Sequence, residues 1–245
     1  MVKIDKRKSY TMVLDVETAG TLAQRLTYDI GLAIADKKGN IVEERSFLIQ
    51  EIFMDRPLMA TAYYAQKIPS YYQDLIEGKH ELVSFEYARN EIFSLLEKYN
   101  VKTFSAYNLN FDLSALKNTY NYINTGDVKG GLDFFEPKHF EQMKLKCIWS
   151  YACEVLYSQK SFAKFATDNG FYTEKGNYKT SAEVGYAYMT NNPDFVEEHR
   201  GLDDVRIEVA IMARCNRQNK KHLSGILGSP WRLVVNTHGA VMVGA

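Results

Sequence analysis

The hydrophobic pattern opens with an apolar run from Thr11 to Gly20. There Met12, Val13, Leu14 and Val16 surround two carboxylates, and Ala19-Gly20 gives a turn signal. The pattern predicts a buried strand. Side chains alternate along a strand, so Asp15 and Glu17 project from one face. Leu26 to Ala35 and Ile41 to Gln50 predict two further strands, joined by a hairpin turn at 36–40 in which Gly39 and Asn40 tolerate positive φ. The three strands form an antiparallel meander with the carboxylate strand at one side.

An aromatic-rich stretch follows, Phe53 to Tyr72, interrupted by Pro57 and Pro69. Tyr63, Tyr64, Tyr71 and Tyr72 suit either base stacking or ordinary packing with wet hydroxyls, and packing is the commoner role. Ser84 to Tyr99 predicts a helix, with Ser84 as N-cap and Phe85, Ala88, Ile92, Phe93, Leu95 and Leu96 at helical spacing. Thr103 to Tyr107 predicts a strand that runs straight into another helix. Asp112 falls in the first turn of that helix, beside the strand end where sites assemble on open sheets. Glycines and polar residues predict a loop over 121–138, and helices are expected over 140–157 and 161–169. Ser181 and Glu183 open another helix, stopped by Asn191, Asn192 and Pro193. A long helix begins at Glu197, with Val205, Val209 and Met212 on its apolar face. A meander followed by alternating helix and strand is an α/β pattern.

Composition narrows the picture. At 245 residues the chain buries a full core as one domain, and 46% hydrophobic with 24% charged residues is ordinary for a soluble protein. Thirty basic and thirty acidic residues cancel, so any nucleic-acid contact must rest on local patches. Cys147, Cys153 and Cys215 are odd in number and lack metal-like spacing, which predicts packed, reduced thiols. The N-terminus, Met1 to Lys8, is followed by no signal-like apolar region, and no run approaches membrane-spanning length. No membrane association and a cytoplasmic location are expected. The tail from His222 to Ala245 differs in character: it carries Gly225, Gly228, Gly239 and Gly244 and a strand-like piece, Trp231 to Val235.

Asp15, Glu17, Asp112 and Asp204, with His199, are the candidate chemical residues. Like charges on one face of a buried strand are costly unless cations lie between them, and hard divalent ions prefer carboxylate oxygens. Singly, each acid is more often a solvated residue and the histidine an ordinary polar group. In order and context, three pieces resemble the DEDDh group of 3′→5′ exonucleases, which are DnaQ-like. Asp15-Val-Glu17-Thr-Ala-Gly20 resembles the group's Asp-x-Glu-Thr-x-Gly motif, and Ala106-Tyr-Asn108-Leu-Asn-Phe111-Asp112 its Ala-His-Asn-x-x-Phe-Asp motif. His199-Arg-Gly-Leu-Asp-Asp204 resembles its His-x-x-x-x-Asp motif. Tyr107 departs from a common histidine, and Ala19 from a frequent threonine or serine. The five-residue step from His199 selects Asp204 over Asp203.

The resemblance implies an RNase H-like α/β fold: a central mixed sheet, antiparallel meander plus parallel strands, flanked by helices. It implies an exonuclease domain over 1–221, leaving 222–245 as a tail of unassigned role. It also implies two Mg2+ or Mn2+ ions. Asp15 would bridge them, Glu17 and Asp204 would complete the nucleophile-side ion, Asp112 would hold the second, and His199 would act as base. Thr18, Ala19, Gly20, Leu22, Asn108 and Phe111 are the implied substrate contacts, and Lys144, Lys146, Lys160, Lys164, Lys175 and Lys179 are candidates for phosphate. The expected partner is single-stranded nucleic acid, DNA favoured over RNA, with a polymerase or replication partner for any editing role. The rival readings are an exoribonuclease or oligonucleotidase with the same site, an inactive nucleic-acid-binding module, and an unrelated carboxylate metal enzyme such as a phosphatase.

Overall fold

The computed structural model describes residues 9–234. The N-terminal Met1 to Lys8 and the Val235 end of the strand-like tail lie outside the described residues. Six strands, β1 (Tyr10–Ala19), β2 (Leu26–Asp36), β3 (Ile41–Ile49), β4 (Glu81–Val83), β5 (Thr103–Ala106) and β6 (Lys144–Cys147), form one sheet in the order β4-β3-β2-β1-β5-β6. The β1–β2–β3 pairs are antiparallel, as the meander predicts, while β3–β4, β1–β5 and β5–β6 are parallel. Short helices α1 (Gln50–Phe53) and α2 (Arg56–Met59) and the longer α3 (Ile68–Ile76) connect β3 to β4. Next come α4 (Phe85–Lys98), capped by the Ser84 side chain as expected, and α5 (Leu109–Thr125).

The stretch expected as one helix over 140–157 is instead α6 (Pro137–Gln142), strand β6 and α7 (Ile148–Ala152), which runs on as a π-helical turn, Cys153–Tyr157. Lys144 to Cys147 is only four residues long, too short for a period-2 signal to stand out. α8 (Lys160–Asp168), α9 (Ala182–Thr190) and α10 (Gly201–Arg217) complete the chain up to a short 3-10 turn, Pro230–Leu233. That turn takes in Trp231 to Leu233 of the strand-like piece of the tail. Pro230 favours a turn and supplies no N–H to a ladder.

The two faces of the sheet follow the alternation of β1 and β2. Met12, Leu14 and Val16 face the larger core with Ile30, Leu32, Ile92 and Leu116. Val13, Ala33 and Ala35 face a second core with Val205, Val209 and Met212 of α10. Asp15 and Glu17 share the parity of Val13 and so face the α10 side. The small residues on that side of β2 let the helix approach closely. A Cβ built on Gly31 would sit 2.0 Å from the Gly201 carbonyl carbon, and one on Gly201 would lie 2.6 Å from the Gly31 nitrogen. This backbone-to-backbone contact seats the first turn of α10 over the carboxylate strand. Gly31→Ala is therefore expected to cost about 1–3 kcal/mol by overpacking, read as a melting temperature lower by several degrees. An unchanged melting curve would mean that α10 does not seat this way.

Candidate active site

Three of the four acids singled out in the sequence meet near the C-terminal end of β1, and the fourth, Asp112, follows the end of β5. Carboxylate oxygens of Asp15, Glu17 and Asp204 lie within 4.8 Å of one another. Asp204 is in the first turn of α10 and buried, and Asp112 is buried in the first turn of α5. Asp112 stands outside the tight trio, but the charge of Asp15 raises its pKa.

The electrostatics are those of too many acids in too little water. Burial, then the charges of Glu197 and Asp29, raises Asp15 to about 8. Burial, with Asp15 next, raises Glu17 to about 10. Asp204 rises to about 9 through burial, then Asp15 and Glu197. Asp112 is pushed well above the carboxylate range, mainly by burial. Two unit charges at such separations repel by roughly 3.5 kcal/mol at an effective dielectric constant of 20. The leading charges felt by Glu17 and Asp204 are all negative. Asp204 Oδ1 is buried with no hydrogen-bond partner among the described residues. An all-oxygen donor set with an orphaned buried carboxylate oxygen fits a hard divalent cation such as Mg2+ or Mn2+.

His199 lies just outside the helix. The expected helix from Glu197 begins only at Gly201, because side chains take the backbone donors that precede it. Glu183 Oε2 accepts the Glu197 N–H at 3.0 Å, and Asp29 Oδ2 accepts the Gly201 N–H at 3.1 Å. His199 itself has φ +50°, a left-handed conformation rare outside glycine. Its ring stacks on Tyr64 at 4.2 Å between centroids and 11° between planes. Its Nδ1 is 3.9 Å from the Glu197 carboxylate. Burial, then the charge of Lys67, lowers its pKa. Lys67 also donates to the Glu198 carbonyl, and Arg200 pairs with Asp74, so the segment is tied down on both sides of the histidine.

No protein family matches the sequence, and no curated protein matches it. Solved structures do match in shape. A crystal structure of E. coli exonuclease I in complex with a dT13 oligonucleotide aligns over 84% of this chain and 41% of its own, with a TM-score of 0.51 and 15% identity. A structure of exonuclease I with the inhibitor BCBP aligns over 83% and 40%, with a TM-score of 0.50 and 15% identity. This chain has the RNase H-like fold of exonuclease I. It spans about 41% of the length of the exonuclease I chain.

The implied substrate contacts lie at the end of β1, in the turn after it and at the start of α5. β1 pairs irregularly with β2 between Glu17 and Thr18. Ala19 is buried in the core, so it offers only backbone. Gly20 has φ +93°, and its N–H donates to Thr61 Oγ1 at 2.8 Å. Leu22 is 79% exposed, Asn108 is exposed at the N-cap of α5, and Phe111 lies 4.4 Å beneath the Arg25 guanidinium. Among the lysines, Lys146 sits 3.5 Å over the Tyr151 ring and Lys164 pairs with Asp168. Tyr107, the departure from histidine, donates its hydroxyl to the Thr180 carbonyl at 2.6 Å, so it braces the fold. The three cysteines are free and buried, as expected.

Three residues beside the site were not read from the sequence, and a fourth, Tyr64, was read only as one of several tyrosines suited to stacking or packing. Glu208, one turn beyond Asp204, is buried with Asp15, Asp112 and Asp204 among the charges acting on it, and it accepts the Tyr107 N–H at 3.1 Å. Its spacing of four from Asp204 was the available signal. Asp29 stands opposite Glu17 in the β1–β2 register, inside a wholly buried strand. It accepts from the Tyr71 hydroxyl at 2.8 Å as well as from Gly201. A lone acid in an apolar strand was its signal. Glu197 acts only through the tertiary fold and left none, and only the fold singles out Tyr64 among the tyrosines.

Proposed function

We propose that this protein is a metal-dependent 3′→5′ exonuclease acting on single-stranded DNA. The observation that carries the reading is the convergence of Asp15, Glu17 and Asp204, with Asp112 beside them, in a buried pocket short of cations. Asp15, Glu17, Asp204 and Asp112 would hold two magnesium or manganese ions. When bound, such ions lower the pKa of water and offset charge building on a phosphodiester.

The chain's own residues supply the rest. His199, neutral at pH 7 because its pKa is lowered, is suited to accept the proton of the attacking water. It must leave its stack on Tyr64 to do so, and a residue on a non-helical segment can make that move. Gly20 serves the turn after β1, where its φ is +93° and a Cβ would meet the Gln24 carbonyl oxygen at 2.7 Å, so contact with a terminal nucleotide is left to its neighbours. Leu22, Asn108 and Phe111, with the backbone of Thr18 and Ala19, would flank it. Exonuclease I bound to dT13 favours DNA as the substrate here. RNA is the second reading, since acids that engage a phosphate do not read the sugar. An editing role would bring in a polymerase or replication partner. Among the described residues no helix is long and apolar enough to cross a membrane.

End-labelled single-stranded DNA and RNA of matched sequence, incubated with Mg2+, Mn2+ or chelator, test the proposal. Stepwise shortening from the 3′ end of DNA, abolished by chelator, is expected. Intact oligonucleotides under every metal condition would overturn it, and faster loss of RNA would replace the DNA assignment.

A further inference from the structure

Both tryptophans of the chain, Trp149 and Trp231, line one cleft of about 480 Å³ beside the end of β6. Tyr178 forms part of its wall, and Thr173, Asn177 and Thr180 add hydroxyl and amide groups among the rings. Small-molecule sites typically enclose about 300–1,000 Å³, so the cleft has room for a ligand. Its walls are held in place. Trp149 Nε1 donates to Thr180 Oγ1 at 2.9 Å, and Tyr172 and Tyr178 bridge antiparallel, closing the loop between them as a hairpin. Trp231 is brought in by the tail. Glu154 accepts the Leu223 N–H at 3.0 Å and the Ser224 hydroxyl at 2.9 Å, and Ser150 Oγ accepts the Leu227 N–H at 3.1 Å. The segment after α10 is thereby strapped to α7 and the π-helical turn, and its 3-10 turn sets Trp231 against the cleft.

The position of the cleft says what reaches it. Val13, Ser105 and Lys146 stand side by side across β1, β5 and β6. Two residues on, Asp15, Tyr107 and Ile148 leave the same edge of the sheet, with β1 and β6 two strand spacings, or roughly 10 Å, apart. Tyr107 joins the two places. Its N–H donates to Glu208 beside the acids, its carbonyl accepts the Trp149 N–H at 2.9 Å, and its hydroxyl donates to the Thr180 carbonyl. Aromatic walls with polar groups at their edges suit a flat heterocycle whose own rim carries donors and acceptors, which describes a nucleobase. An aliphatic peptide side chain would use the rings but not the polar rim. Glu174 and Lys175 on that rim cancel in charge, so stacking has to provide the affinity. We propose that Trp149, Tyr178 and Trp231 form a stacking site for one base of single-stranded DNA, a few nucleotides upstream of a 3′ end held at Asp15, and that the tail from His222 completes it.

The choice of ligand rests on the nuclease reading, whereas the stacking site is tested by binding alone. Because both tryptophans line the cleft, indole fluorescence reports on it directly. The experiment titrates dT10 into the protein in chelator, reading indole emission with the unlabelled decamer and anisotropy with a 5′-labelled copy. Emission should be quenched saturably, with the midpoint that anisotropy gives. A decamer of abasic residues, with the same phosphates and no bases, should leave the emission unchanged. Trp231→Ala should weaken binding about tenfold, as the loss of one stacking partner does, and Trp231→Phe, which keeps a ring, should restore most of it. Binding of dT10 without quenching, equal affinity in Trp231→Ala, or no binding at all would overturn the stacking site and leave the nuclease reading to the cleavage assay. Quenching and tight binding by a protein that shortens no oligonucleotide with any metal would overturn the nuclease reading and leave the stacking site standing.

Discussion

Asp204→Asn is expected to abolish Mg2+-dependent cleavage and, in the same molecule, to make the metal-free protein harder to unfold. The two effects have one cause. Asp204 is buried against Asp15 and Glu17, and one of its oxygens has no hydrogen-bond partner among the described residues. On the proposed function that oxygen would be a metal ligand, and losing it would cost several kcal/mol of charge stabilisation, about a thousandfold in rate. Without metal, the same carboxylate is a repelling neighbour.

The sign follows from the proton balance. Asp15, Glu17 and Asp204 have pKa values raised to about 8, 10 and 9 in the folded state, against roughly 4 for exposed carboxylates. Between those limits the folded state holds more protons than the unfolded one, so metal-free stability falls as pH rises from about 4 towards 8–10. Differential scanning calorimetry in chelator should show the wild-type melting temperature dropping between pH 5 and pH 8.5. Asp204→Asn should flatten that drop and melt several degrees higher at pH 8.5, since 1 kcal/mol is worth about 2–4 °C in a chain of this size. Added Mg2+ should raise the wild-type melting temperature and leave the variant nearly unmoved. A variant that melts lower than wild type at pH 8.5 in chelator would show that the acids are not in mutual repulsion.

Asp15 and Glu17 were legible because they interrupt an apolar strand, and Asp112 because it falls in the first turn of a helix at a strand end. Asp204 and His199 stood out only through the resemblance of their order and spacing to the DEDDh motifs. The meander was readable because its strands are long and its turn carries Gly39 and Asn40. β6 was not, because four residues between two helices carry no period. The start of α10 was misplaced by four residues because its boundary is set by contacts far away in the chain. Asp29 takes the Gly201 N–H across 172 positions, and Glu183 takes that of Glu197. The Tyr64 stack on His199 is likewise tertiary. In sequence Tyr64 is one of several tyrosines, and only the fold separates it from Tyr71, whose hydroxyl serves Asp29.

His199→Ala is expected to lower turnover by roughly 10²–10⁴-fold, the usual range for a lost general base, while leaving the Mg2+-induced rise in melting temperature intact. The separation follows from where the residue sits. His199 is not among the three groups whose oxygens cluster at the pocket, and the charges acting on it are those of Lys67, Glu183 and Glu198 rather than Asp15 or Asp204. Removing its ring would therefore leave the acids, and the cations they are proposed to hold, undisturbed. The pH profile adds a second reading. A base whose pKa is lowered by burial stays unprotonated down to below about 6.5, so the wild-type rate at saturating metal should fall only on the acid side of that value. Tyr64→Ala removes the stacking surface that holds the ring at rest, and it should move turnover more than metal affinity. If His199→Ala and Asp204→Asn lost metal-dependent stabilisation to the same degree, the histidine would be a ligand or a structural prop, and the division of labour between the acids and the base would have to be abandoned.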